Sequence, residues 1–187
     1  MNIYLVRHGE DEDNAAGILN GRRDTPLTAL GEEQASKVAK ELQGESIVFD
    51  VIMSSPLQRA RQTAEAIAEV LGKDVAINSE LIERDYGVLT GKLRTDIEKY
   101  STGNIDVDGL LYFLNAKDAE SFEATYERAA KLLESLKGSN YTNVIMVAHR
   151  DICIMIQAAF YDWGWLQGIK NAHMKNASVL KLSEQSN

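Results

Sequence analysis

Five apolar runs too short for helices punctuate the chain. They are "NIYLV" (2–6), "DVIMSS" (50–55), "VAIN" (75–78), "NVIMVAH" (143–149) and "SVLKL" (178–182). Their length and β-branched content predict short buried strands. Between them the apolar positions recur at helical spacing. Thr28 is placed to cap "ALGEEQASKVAKELQ", which ends at Gly44. "LQRARQTAEAIAEVL" stops at Gly72, and the amphipathic "ESFEATYERAAKLLESLK" stops at Gly138. Asp151 is placed to cap "ICIMIQAAF". Strands alternating with helices predict an α/β fold, a three-layer α/β/α sandwich around a mostly parallel sheet. The stretch 92–119, "KLRTDIEKYSTGNIDVDGLLYFLNAKDA", fits neither pattern cleanly. It is expected to be a helical cap insertion over the carboxyl edge of the sheet. No repeat or compositional break divides the chain, so residues 1–187 are expected to form a single domain.

Composition narrows the function. The formal charge is −8, so the surface as a whole repels phosphate backbones, and nucleic acid is not an expected partner. No apolar run approaches the roughly 20 residues of a membrane span, so no membrane partner is expected. The start lacks a basic segment followed by an apolar one, which leads to the expectation of a cytoplasmic protein without a signal peptide. The one cysteine, Cys153, sits in an apolar stretch and reads as a buried thiol. Any anion site must be a local exception to the net charge.

Such an exception is visible at the strand ends. In open α/β sheets, ligands bind beyond the carboxyl ends of strands. Arg7–His8–Gly9 follows the first run, "SSPLQRA" (54–60) the second, and His149–Arg150–Asp151 the fourth. A lone histidine there would ordinarily just hydrogen-bond a carbonyl. Two histidines with Arg7 and Arg59, the latter in the first turn of a helix whose amides favour anions, make a phosphoryl cradle. Gly9 permits close backbone approach. A neutral imidazole is a competent nucleophile toward phosphorus, and neighbouring arginines lower its pKa.

These residues carry a family resemblance. "RHGEDEDN" resembles the RHG signature of the histidine phosphatase superfamily, the phosphoglycerate-mutase-like group, and places Asn14 at the family's spacing. "GRRDTPLTALGEEQA" (21–35), "SSPLQRARQTAEAI", "LIERDYGVLTG", "VAH" and "NASVLKL" resemble its further blocks in the correct order, from residue 2 to residue 182. The resemblance implies a phosphoglycerate-mutase-like fold. It also implies that His8 attacks phosphorus, that Arg7, Arg59 and His149 neutralise the phosphoryl oxygens, and that Asn14 donates a hydrogen bond. Glu83 would protonate the leaving oxygen and later activate water. Gly21, Tyr86, Arg94 and Arg150 are further candidates for contact with phosphate or substrate. The resemblance implies no metal and no cofactor.

Arg150 departs from the family, which usually has glycine after its second histidine. Trp163 and Trp165 are expected in the core; an exposed pair would instead mark a contact with a second copy, so a homodimer is a candidate assembly. Arg22, Arg23 and His173 are expected at the surface. The short insertion and the nearly neutral tail "KLSEQSN" favour a phosphatase acting on a small phosphorylated metabolite. The alternatives are mutase-type phosphoryl transfer and a phosphate-binding module without turnover.

Overall fold

The computed structural model describes residues 1–183, so most of the tail "KLSEQSN" lies outside the described residues. In chain order the elements begin with β1 (Asn2–Arg7), α1 (Glu12–Ala15), α2 (Ala29–Gly44), β2 (Val51–Ser54), α3 (Gln58–Leu71) and β3 (Val75–Ile77). Three 3₁₀ turns follow, at Ser79–Leu81, Gly87–Leu89 and Arg94–Asp96. Then come α4 (Ile97–Tyr100), β4 (Ser101–Thr102), β5 (Ile105–Val107), β6 (Leu110–Tyr112) and β7 (Asn115–Ala116). The chain continues through α5 (Phe122–Lys137), β8 (Asn143–Ala148), α6 (Arg150–Phe160), α7 (Trp165–Asn171) and β9 (Val179–Leu182).

The five expected strands form one sheet in the order β3-β2-β8-β1-β9. All neighbours are parallel except β9, which runs antiparallel to β1. The period-2 alternation of side chains divides the core. Ile3, Leu5, Val144, Met146 and Ala148 face α5, α6 and α7, with Phe122, Leu132 and Ile156 among their partners. Tyr4, Val6, Ile145 and Val147 face α2 and α3, against Val38, Leu42, Ala64 and Ile67. The helix ends follow the sequence signals. Thr28 accepts from the Gly31 amide at the start of α2, and Gly72 takes the left-handed conformation that ends α3.

Register decides what the sheet presents. Arg7 pairs with Ala148, and Ser54 pairs with Val147. The next residues, His8, His149 and Ser55, therefore leave the sheet side by side at one edge.

Three expectations are corrected. The segment 92–119 is helical only over the 3₁₀ turn Arg94–Asp96 and the one turn of α4. Its main feature is a nested hairpin, with β4 paired to β7 around an inner β5–β6 pair. The inner turn is Asp108-Gly109, both with positive φ, the conformation that two-residue hairpin loops require. Second, Asp151 does not cap α6; His149 holds that position without a side-chain cap bond, and the Asp151 carboxylate is drawn away to Arg84. Third, Trp163 is 37 % exposed and stacks on Tyr161, while Trp165 packs on the core. Among the described residues, no helix is long and apolar enough to cross a membrane.

Candidate active site

His8 is 2 % exposed, and its Nδ1 lies 2.6 Å from the Gly9 carbonyl oxygen. A carbonyl only accepts, so Nδ1 carries the proton and Nε2 is the unprotonated nitrogen, accepting a long hydrogen bond from Arg59 Nε. The backbone beneath is tied down. The Gly9 amide donates to Thr63 Oγ1, and Thr63 donates in turn to the Arg59 carbonyl. Asn176 Nδ2 contacts the carbonyls of both His8 and Gly9 at 3.3 and 3.2 Å.

Arg59 is the hub. Its Nε lies 3.3 Å from His8 Nε2, 3.2 Å from His149 Nδ1 and 3.2 Å from Asp11 Oδ2. Its terminal nitrogens donate to the carbonyls of Arg23 and Gly21, at 2.6 and 2.8 Å. The one Nε–H is shared between the two histidines, while the Nη1 and Nη2 donors of the same planar group hold the loop. A guanidinium cannot accept, so His149 Nδ1 is the acceptor. His149 Nε2 then carries its proton and donates to Ser55 Oγ at 2.7 Å. The two imidazoles face each other with centroids 5.0 Å apart.

Electrostatics keeps both rings neutral. Burial, then Arg59 and Arg7, pushes the His8 pKa well below its ordinary 6.5, outweighing the bond to the Gly9 carbonyl. Burial and the Arg59 charge act the same way on His149. Arg7 donates to the Met174 carbonyl at 2.9 Å, and its Nε is buried without a partner among the described residues. Burial and Arg150 lower the Arg7 pKa to about 10, which leaves it charged at neutral pH.

Glu83 enters from the turn after the first 3₁₀ segment and is 3 % exposed. Its carboxylate meets the start of α6. Oε1 accepts from the amides of Arg84 and Ile152, at 2.9 and 3.2 Å, and Oε2 accepts from Asp151 at 3.3 Å. Those amides favour the ionised form. Burial and the Asp151 charge outweigh them and raise the pKa above the ordinary carboxylate value. A raised carboxyl pKa suits a group that must act first as acid and then as base.

The remaining candidates take different places. Asn14 Oδ1 accepts from Asn176 Nδ2 at 2.7 Å, which turns its amide N–H groups to donation. Gly21 contributes its carbonyl to Arg59, and a Cβ there would press on the Tyr86 ring. Tyr86 is buried edge-on against Phe113, and burial raises its hydroxyl pKa well above 10. Arg94 and Arg150 are partly exposed at the mouth of the site. His173 is exposed as expected, but it lines the same mouth. Arg22 and Arg23 also sit at the surface, yet both are ion-paired, Arg23 to Asp13 at 2.8 Å and Arg22 to Glu120 at 3.1 Å. The amide of Gln58, in the α3 turn expected to face an anion, is taken by Asp24 Oδ1.

Sequence reasoning missed Asp11, Thr63 and Asn176. Asp11 is fully buried; it accepts from Asn20 at 2.6 Å and from the Asn14 amide at 2.8 Å, and faces Arg59. Its signal was its place at the start of α1, where it caps the helix. Asn176 had none, because it approaches from a loop 162 residues beyond Asn14. Among the described residues, no group of three or more His, Cys, Asp or Glu is placed to hold a metal ion.

Comparison with known proteins decides the family. The model of the histidine phosphatase superfamily (branch 1) matches residues 3–187. The chain belongs to the histidine phosphatase superfamily. A Hydrogenobacter thermophilus protein provisionally named phosphoserine phosphatase 2 is 33 % identical over 186 residues, 96 % of this chain and 88 % of that one. A protein of Parvibaculum lavamentivorans named 2,3-bisphosphoglycerate-dependent phosphoglycerate mutase is 34 % identical over 157 residues, covering 79 % of this chain and 73 % of its own. Among solved structures, a phosphoserine phosphatase from Entamoeba histolytica, bound to 3-phosphoglyceric acid, superposes with a TM-score of 0.77 at 27 % identity. That match covers 96 % of this chain and 89 % of the other. A mycobacterial glucosyl-3-phosphoglycerate phosphatase shares the fold with a TM-score of 0.83 at 24 % identity, over 97 % and 92 % of the two chains. Membership and the phosphatase-named relatives support a histidine-type phosphatase.

Proposed function

We propose that this superfamily member hydrolyses a small phosphorylated metabolite through a phosphohistidine at His8. The observation that carries the reading is the tautomer: Nδ1–H bound to the Gly9 carbonyl leaves Nε2 as a nucleophile beside Arg59. In the first step a P–N bond forms at Nε2 as the ester P–O bond breaks. The departing oxygen takes its electron pair and a proton from Glu83. The ring becomes a phosphoimidazolium whose Nδ1–H stays on the Gly9 carbonyl, and Arg7, Arg59 and His149 offset charge on the phosphoryl oxygens. In the second step ionised Glu83 takes a proton from water as it attacks phosphorus. The P–N bond breaks, inorganic phosphate leaves, and His8 is again neutral.

The test is hydrolysis of p-nitrophenyl phosphate in EDTA, with capture of the phosphoenzyme. Turnover that His8→Ala abolishes, with acid-labile label on residue 8, supports the reading. Label on another residue overturns it. The name of the Parvibaculum relative favours a second reading, in which a substrate hydroxyl replaces water as acceptor. Isomerisation of 3-phosphoglycerate, stimulated by 2,3-bisphosphoglycerate, would distinguish it.

A further inference from the structure

The mouth of the site has a wall that phosphoryl transfer does not use. It bounds a cavity of about 490 Å³ lined by Arg7, Tyr112, Arg150, Lys175 and His173, among others. The one acid in this wall is Asp108, whose side chain is 89 % exposed and faces His173 at 3.9 Å. The chain holds 28 acids against 20 lysines and arginines, so an arginine without an acid is the exception. Yet Arg94 and Arg150 make no ion pair and no side-chain hydrogen bond among the described residues.

Arg150 is also badly placed for a merely solvated cation. It is the first residue of an 11-residue helix, the end where the helix dipole disfavours positive charge. Its charge acts on Arg7 and on Arg94, lowering the pKa of both. Two buried polar atoms lie beside it without partners, the Tyr112 hydroxyl and Arg7 Nε. Tyr112 is 3 % exposed and Arg7 6 %. Buried donors without acceptors cost stability unless a ligand satisfies them. Tyr112 and Arg150 also wall the narrow recess that Arg94 enters, so all three side chains border one space; Asp151 lines it too, with its carboxylate held by Arg84.

We propose that Arg150, with Arg94 and the Tyr112 hydroxyl, forms a second anion subsite that selects phosphomonoesters bearing another compact anion near the ester. The proposal rests on the phosphatase reading above. Arg7 lines the cavity and also serves the phosphoryl group, so the two anions lie within a few bonds of each other. A forked guanidinium and a hydroxyl donor suit a carboxylate or a second phosphate equally.

Two matched pairs separate these sources. 3-Phosphoglycerate and glycerol 3-phosphate differ by a carboxylate in place of a hydroxymethyl group. 2,3-Bisphosphoglycerate and 3-phosphoglycerate differ by a phosphate on the neighbouring carbon. Calorimetric affinities are measured on His8→Ala, so that turnover plays no part. The anion-bearing member of one pair binds about tenfold or more tighter, a modest gap for a site built around hydrogen bonds to one group. The pair that shows the gap names the anion. The gap collapses when Arg150→Ala is added and narrows when Tyr112→Phe is added, a change that keeps the packing. Equal affinities within both pairs, or a gap untouched by both substitutions, overturn the proposal. Hydrolysis of p-nitrophenyl phosphate by the unaltered chain reports separately on the phosphatase reading.

Discussion

Arg84 Nε and Asp151 Oδ2 meet at 2.8 Å in a buried ion pair beside Glu83. The Arg84 guanidinium is sandwiched between the rings of Phe113 and Phe122, 4.0 Å from each centroid. Asp151 thus anchors a cation through its side chain and binds Glu83 through its amide. Its charge is the second cause, after burial, that keeps Glu83 protonated above the ordinary carboxylate range.

Asp151→Asn therefore separates two effects. Leaving Arg84 buried without its counter-charge destabilises the fold by about 3–5 kcal/mol, read by chemical denaturation. Removing the negative charge lowers the Glu83 pKa. Glu83 must be protonated to release the leaving group, so the basic limb of kcat/KM moves to lower pH. A basic limb that stays in place would show that Asp151 acts on stability alone.

Asn176→Ala removes the donor that links Asn14 to the carbonyls of His8 and Gly9. Gly9 also fixes the tautomer of His8, so the nucleophile loses its alignment. A small displacement at a reacting centre costs up to about 10²-fold. The expected result is a fall in kcat of about 10- to 100-fold with a smaller change in KM, and a thermal midpoint lowered by only a few degrees. An unchanged kcat would show that Thr63 and the sheet hold His8 without help.

The parts of this site that were legible are those that follow strands. His8 and His149 each end an apolar run, and strand register then places them together. Thr28 and Gly72 marked helix ends because capping and left-handed turns demand particular residues, whereas α2 and α5 end at Gly44 and Gly138 with right-handed backbone that does not require glycine. The nested hairpin was misread although Asp108-Gly109 carries the turn signal; its strands are two or three residues long, below what apolar alternation can show. Asp151 looked like a helix cap because local sequence cannot show a competing arginine 67 positions away. Asn176 was silent for the same reason.

Gly31→Ala tests a close approach that no side chain permits. A Cβ on Gly31 would run into the carbonyl of Glu10, and one on Gly9 would run into the carbonyl of Gly31. Both contacts are with backbone, which yields less than the end of a flexible side chain. The cost is about 1–3 kcal/mol from overpacking, read as a lower denaturation midpoint. The strain lies on the segment that carries His8, so kcat falls as well. Gly44→Ala, in a helix and with nothing within 4 Å of a Cβ, leaves kcat unchanged and does not lower the midpoint.

The two histidines also set the response of stability to pH. Unfolded, each ring takes up a proton near 6.5; folded, both hold their pKa well below that value. As pH falls through 6.5 the unfolded state binds protons that the native state refuses, so stability declines. The slope is about 1.4 kcal/mol per pH unit for each ring. Glu83 works in the opposite sense: its native pKa is raised, so between 4.5 and that value the native state binds the extra proton, and acidification stabilises. Asp11, whose native pKa burial also raises, acts in the same sense as Glu83, but both carboxyl windows open well below 6.5 and overlap that of the rings only in part. Net stability is therefore lower at pH 5.5 than at pH 7.5, measured by urea denaturation at each pH. His8→Ala removes one of the two rings, so the pH 5.5 to 7.5 difference shrinks by at least half, whatever the substitution does to stability itself. A difference that His8→Ala leaves unchanged would mean that His8 titrates alike in both states, and the neutral nucleophile would lose its physical basis.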